Sequence, residues 1–298
     1  MRNLNNQNKA YVFALLAVLF WSTVPTAFKL GLKYQDNYQM VTGATLVSVV
    51  VLGLTVLFQQ KTGVVRKLRF KKIMFFAALG LLNPAAYYFI LFKAYDLLPA
   101  QVAQPLNMTW PIVLVLISIP MLRQSISPKH FVALFISFAG VAALSFQDGN
   151  LLSEGSSIKG VLLALFTAVL WAFYWIFNMK NKTDEVVSLF IIFLFSGLYL
   201  LIIGLFRDPS FPVGKEAWLA AAYIGMFEMG FAFILWLKAL QLSSTTATIS
   251  NLVYIAPFLN LAFVNIFLDE RIFISTIFGI ILVIIGILIQ NTAKKVEV

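Results

Sequence analysis

Apolar residues run in stretches of membrane-crossing length through almost the whole chain. They lie at roughly 11–32, 38–58, 73–94, 100–122 and 129–146, then at 159–179, 186–206, 217–240, 245–268 and 272–290. About 20 mainly apolar residues carry a helix across a bilayer core. A helix also satisfies its backbone polar groups internally, which lipid cannot do for it. The pattern predicts an all-α integral membrane protein with ten transmembrane helices. The fifth run is short, and the connectors near 95–100 and 241–245 leave room only for tight turns between antiparallel neighbours. The first run follows the polar stretch Met1–Lys9. It is too long for a signal peptide and no small-residue cleavage site follows, so it reads as a retained helix.

Composition sharpens this picture. The 298 residues are 61% apolar and 11% charged, against about 25% charged in a soluble domain. So little charge cannot cover a soluble surface, and the loops are too short to hold a sizeable soluble domain. The chain has no cysteine, which excludes disulfides, thiolate metal sites and cysteine nucleophiles. Its one histidine, His130, excludes a paired-histidine haem, a His-rich metal site or a His-based dyad within one chain. No cofactor is expected. The net charge of +10 sits in short loops between apolar runs, a mark of membrane topology and not of nucleic-acid binding.

Those charges set an orientation. Arg2 and Lys9, the run from Lys61 to Lys72, Arg123 and Lys129, Lys180 and Lys182, Lys238, and Lys294 and Lys295 all fall on one side. The smaller set, Lys29, Lys33, Lys93, Lys159, Arg207, Lys215 and Arg271, falls on the other. The bias puts both termini in the cytoplasm and the loop holding Asp148 and Glu154 outside. Arg66–Lys72 should also attract anionic lipid, at about 1 kcal/mol per basic residue.

The two halves of the chain match. Ala14-Leu15 with Trp21 recurs as Ala164-Leu165 with Trp171, Gly80 as Gly225, and Lys93-Ala94 as Lys238-Ala239. Pro111 recurs as Pro257 and Gly140 as Gly286, so that the order holds at offsets of 145–150 residues. Each half, 1–147 and 148–298, carries five spans. Five is odd, so the second copy enters the membrane with opposite polarity, giving an inverted-topology repeat. Many secondary transporters are built this way, with the substrate near the midplane between repeats.

The chain resembles the EamA-like branch of the drug/metabolite transporter superfamily, from about Val12 to Gln290. The resemblance is carried by Phe20-Trp21-Ser22 with Lys29, and by the stretch from Lys238-Ala239-Leu240 through Pro257 to Leu268-Asp269-Glu270-Arg271-Ile272. In that stretch Glu270 follows Pro257 by thirteen residues, as in the family, whereas the position thirteen after Pro111 is Gln124. If that glutamate fixes a helix end, the first repeat has to manage without it, while Glu270 pairs with Arg271 or caps a helix. Asn107-Met108-Thr109-Trp110-Pro111 is also similar to the fourth-helix segment of the family's aromatic amino-acid exporters. The resemblance implies export of amino acids or related metabolites across a bacterial-type inner membrane.

Charged groups deep in a membrane helix are the sharpest functional signals, because each costs about 2.5–3.5 kcal/mol at the centre. Glu228 stands about eleven residues into the eighth run. It is expected to bind a proton or a cationic substrate, the alternative being a neutral structural carboxyl. Its repeat counterpart is Asn83, followed by Pro84, with Tyr87 a turn further on. Pro25, Pro105, Pro111 and Pro257 are placed to interrupt helices and free carbonyls. Gln104, Asn107 and Trp110 share a face by their spacing of three, as do Asn251 and Tyr254. Amides there can hold a zwitterionic head while aromatic rings stack on the remainder, although amides also join helices. Trp21, Trp171 and Tyr174 add aromatics in the matched first and sixth helices. Lys29 and Lys93 lie near the outer ends, where their stems reach water.

These residues predict a secondary transporter of a small organic metabolite, coupled to protons through Glu228. The chain carries no GxxxxGK[ST] loop for ATP. A passive channel remains the alternative, and an integral membrane enzyme fits less well because the interior lacks a polar catalytic set. Internal repeats allow a functional monomer and leave a homodimer open.

Overall fold

The computed structural model describes residues 2–98, 103, 106–143, 157–207, 211–268 and 274–292. Every regular element among them is helical. Helix α1 spans Arg2–Gly31, α2 Asn37–Phe58, and α3 is the short turn Thr62–Arg66. Helix α4, Phe70–Gly80, passes through the wide-turn segment Leu81–Ala86 into α5, Tyr87–Leu97. Then come α6 (Trp110–Leu122), α7 (Pro128–Ala143), α8 (Ile158–Lys180) and α9 (Glu185–Gly204). Helix α10, Lys215–Tyr223, continues through a second wide-turn segment, Ile224–Ala232, into α11, Phe233–Leu242. Helix α12 (Thr246–Ser250), the tight 3₁₀ stretch Asn251–Ile255, α13 (Ala256–Leu268) and α14 (Ile274–Asn291) complete the order.

Six of these helical stretches are long and apolar enough to cross a membrane: Asn6–Phe28, Asn37–Phe58, Phe70–Ala94, Ile158–Lys180, Glu185–Gly204 and Lys215–Leu242. Trp110–Leu122, Pro128–Ala143 and Ile277–Gln290 are shorter apolar helices. In the run expected at 100–122, Ala103, Leu106 and Asn107 are helical and α6 begins at Trp110 after a turn, with 100–102, 104 and 105 outside the described residues. The run at 245–268 is divided among α12, the 3₁₀ stretch and α13. Regular α-helix is interrupted just before Pro111 and Pro257, by the turn at Met108 and Thr109 and by the 3₁₀ stretch. Each stands at the second position of a helix that follows a break, where its missing N–H goes unneeded.

The bundle is apolar outside and small or polar within. Leu16, Leu19, Val50, Leu54, Phe135, Leu162 and Phe166 are exposed, while Thr42, Thr45, Ser48, Ser118, Ser137, Thr167, Ser188 and Ser196 are buried. Lipid offers no hydrophobic drive between helices, so close contact of small side chains takes over. The α7–α14 pair shows this best. A Cβ on Gly140 would stand 2.5 Å from the Gly279 carbonyl oxygen, and one on Gly279 2.6 Å from that of Gly140. Both obstacles are backbone, so the helices must separate to admit a side chain. Gly140→Leu is expected to destabilise the protein by about 1–3 kcal/mol through overpacking, read as a lower thermal aggregation midpoint in detergent.

Helices α2 and α9 pack along each other and are fastened at both ends. At one end Asp36 caps α2, accepting from the Gln39 N–H at 2.8 Å while the Gln39 side chain accepts from the Asp36 N–H at 2.9 Å. Asp36 also pairs with Arg207 at 3.0 Å. At the other end Asp184 caps α9 through the Val186 and Val187 N–H groups and pairs with Lys61 at 2.6 Å. Lys238 of α11 pairs with Glu185 at 3.1 Å.

A buried carboxyl beside a box of indoles

The centre of the bundle is reached by building outward from the two wide turns. Asn83 takes φ −152° and ψ 130°, which breaks the helix between α4 and α5. Residues 224–232 loosen to i→i+5 pairing without a break. Such wide turns shift the helix register and recur at functional sites. The second one carries Glu228, which is 8% exposed, and the first leaves Asn83 fully buried.

The Tyr88 hydroxyl donates to Glu228 Oε1 at 2.6 Å, while Glu228 Oε2 and both amide atoms of Asn83 have no hydrogen-bond partner. Burying such groups unpartnered costs free energy, so the place is unlike an ordinary helix contact. Among the side chains the structure describes, which exclude those of Arg2, Lys29 and Asp96, Glu228 is the buried acidic one and no lysine or arginine is buried.

Beside the carboxyl stands an aromatic cluster. Ring centroids of Trp21 and Trp236 are 5.3 Å apart, Trp110 and Trp236 5.7 Å, Trp110 and Trp171 6.1 Å, and Trp21 and Trp171 6.3 Å. Tyr87 lies 4.5 Å from Trp171 and 4.9 Å from Tyr88, linking the box to the carboxyl's partner. Tilted and edge-on contacts at these distances suit the ring quadrupoles. The indole N–H groups of Trp171, Trp175 and Trp236 have no acceptor. Asn107 Nδ2 donates to Thr167 Oγ1 at 3.0 Å and to the Tyr87 hydroxyl at 3.3 Å.

Trp21, Asn107, Trp110, Trp171 and Tyr87 thus meet in one cluster. Tyr174 joins it through Trp175, at 5.1 Å, and Phe233, at 5.9 Å. Asn251 is fully buried with neither amide atom partnered. Tyr254 belongs elsewhere: it is buried in a smaller apolar cluster with Ile112, Leu134, Val141 and Val283, 6.2 Å from Phe138. A spacing of three fixed a shared face but not its neighbour, and α7 and α14 cover that face. Gln104, Pro105, Glu270 and Arg271 lie outside the described residues.

Gln124 also departs from expectation. The amide does the work expected of a glutamate at that position: Gln124 Oε1 accepts from the Thr246 N–H at 2.9 Å and the Thr246 hydroxyl at 3.0 Å, at the start of α12 in the second half of the chain. An amide oxygen serves an orphan helix N–H as a carboxylate would. Gln124→Ala is expected to cost about 1 kcal/mol, seen as a lower thermal midpoint, with Gln124→Glu holding the wild-type value. Three residues escaped the sequence reading: Tyr88, Trp236 and Thr167. Trp236 stands eight residues beyond Glu228, and that two-turn spacing was the signal available for it.

A helical bundle with a polar, aromatic interior inside an apolar shell defines a multi-pass membrane protein. The chain belongs to the EamA-like transporter family, which matches residues 8–146 and 158–292; it is a membrane transporter. It is 24% identical over 305 aligned positions to the "Uncharacterized transporter YvbV" of Bacillus subtilis, covering 100% of this chain and 96% of that one. It is 30% identical over 153 positions to the "Aromatic amino acid exporter YddG" of Ancylobacter novellus, covering 50% of this chain and 53% of that one. A solved structure at 22% identity shares the fold, with a TM-score of 0.81 over 95% of this chain and 96% of that chain.

Proposed function

We propose that this protein is a proton-coupled secondary transporter that exports a small organic metabolite, an amino acid or related compound, across a bacterial-type inner membrane. In this reading ten helices form two inverted five-helix repeats, 1–147 and 148–298, with both termini cytoplasmic. The wide turns at Leu81–Ala86 and Ile224–Ala232 support the duplication, since Asn83 and Glu228 occupy matched positions in them. So do the breaks that precede Pro111 and Pro257.

The observation that carries the proposal is the buried Glu228, held by Tyr88 alone on one oxygen. A carboxyl so placed is tolerated with a proton, or charged against a cation, and an unpaired charge is expensive. Proton and substrate therefore exclude one another there, which is the requirement for exchange. Asn83, Asn107 and the indole box hold the remainder of the substrate, and the partial likeness to an aromatic amino acid exporter agrees with an aromatic cargo. A single chain contains both repeats, so a monomer suffices and a homodimer is compatible.

The test is uptake into proteoliposomes of labelled amino acids, nucleosides and organic cations, with protein-free vesicles as control. Saturable uptake that a pH gradient, acid inside, drives upward is the expected result. Non-saturable flux indifferent to the gradient would replace the carrier by a passive channel.

A further inference from the structure

We propose that the site selects its substrate by an ammonium group and needs no carboxylate, so that aromatic amines are its preferred ligands. This rests on the transporter reading above and names the substrate class of the same site.

Three observations support it together. First, among the side chains the structure describes, which do not include that of Lys29, the interior holds an acid without a basic counterpart: Glu228 is buried, no lysine or arginine is, and Lys93 is exposed. Lys61, Arg207 and Lys238 are engaged by Asp184, Asp36 and Glu185 at the helix ends. Second, Glu228 Oε2 and Asn83 Oδ1 are buried acceptors with no partner, and an ammonium group carries three donors and no acceptor. Third, Trp21, Trp110, Trp171 and Trp236 make a box with centroid separations of 5.3–6.3 Å. Indole is the best of the side-chain rings at attracting a cation over its face.

A zwitterion would fare worse. Its ammonium could use Glu228, but its carboxylate would enter an apolar interior whose unpartnered donors are neutral, among them Asn83 Nδ2, the Tyr174 hydroxyl and the indole N–H groups of Trp171, Trp175 and Trp236. A buried anion without a cation keeps most of its desolvation cost. An aromatic amine brings a single charge that Glu228 neutralises, and its ring replaces indole–indole contacts with equivalent ones.

Phenethylamine, phenylalanine and 3-phenylpropionate share a ring and a two-carbon stem and differ only in these charged groups. Each is titrated at pH 7 into the purified full-length protein, following intrinsic tryptophan fluorescence. Phenethylamine should bind tighter than phenylalanine by at least about tenfold, because only phenylalanine must also bury a carboxylate without a cation, and 3-phenylpropionate should not bind. Glu228→Gln should weaken phenethylamine by a similar factor. Trp171→Phe, which keeps a ring in the box, should weaken it less and shows that a folded variant still reports binding. Phenylalanine or 3-phenylpropionate binding as tightly as the amine would overturn the proposal, as would binding of none of the three. If the flux panel still gives saturable, gradient-driven transport of a compound without an ammonium group, only the substrate assignment fails and the transporter reading stands.

Discussion

Glu228→Gln is expected to abolish gradient-driven accumulation while leaving the protein folded. One pH unit is worth about 1.4 kcal/mol per proton, so one-for-one exchange sustains about tenfold accumulation of substrate in acid-loaded vesicles. The sign follows from exchange: protons leave the acidic lumen as substrate enters. Glutamine keeps the acceptor for the Tyr88 hydroxyl, which donates at 2.6 Å in the native protein, but it cannot carry a proton on and off. The variant should therefore reach a ratio of about one, with no dependence on the gradient. Gradient-driven accumulation equal to wild type would reduce Glu228 to a structural group. Tyr88→Phe separates the two contributions. It removes the hydrogen bond and keeps the carboxyl, so coupling should survive with an altered pH profile.

The second large effect is expected at Trp171. Its ring lies within 6.3 Å of Trp21, Trp110, Trp175, Phe233 and Tyr87 at once. Trp171→Ala should cost about 3–5 kcal/mol by cavity formation and lost contact, lowering the thermal midpoint in detergent and removing ligand binding together. Trp171→Phe should restore most of the stability and part of the binding. A folded, wild-type-stable Trp171→Ala protein would mean that the indole box is loose and not the packed centre described here.

What the sequence revealed depended on what each residue risks in lipid. Glu228 stood out because a carboxyl in an apolar run needs a reason, and it is buried at a helix irregularity. Trp21 and Trp171 stood out because the sequence match between the two halves paired them, and their rings are in contact. The amide Asn107 was found by its spacing to Trp110, and it reaches Thr167 and Tyr87. Tyr88 and Trp236 were hidden for the opposite reason: in a chain with 29 Phe, 10 Tyr and 6 Trp, aromatic residues line both the core and the lipid face. Neighbours across helices, such as Tyr88 and Glu228, are 140 positions apart, and no local pattern encodes that approach. Tyr254 shows the same limit from the other side. Its spacing of three to Asn251 suggests one face, but the helices packed on the 3₁₀ stretch, α7 and α14, decide its surroundings. The helix breaks were partly legible, since Pro84 marked one. The loosened turn around Glu228 contains no proline and is set by tertiary packing, with Gly225 and Gly230 permitting close approach of α2.

The central claim is that substrate and proton exchange at Glu228. The most direct measurement is luminal pH, reported by a trapped fluorescent dye, in proteoliposomes to which the substrate found in the flux panel is added outside. Wild-type vesicles with an acidic lumen should lose protons on substrate addition, and Glu228→Gln vesicles should not while still binding substrate. Saturable substrate entry with no proton movement in the wild type, or equal proton movement in both proteins, would contradict it.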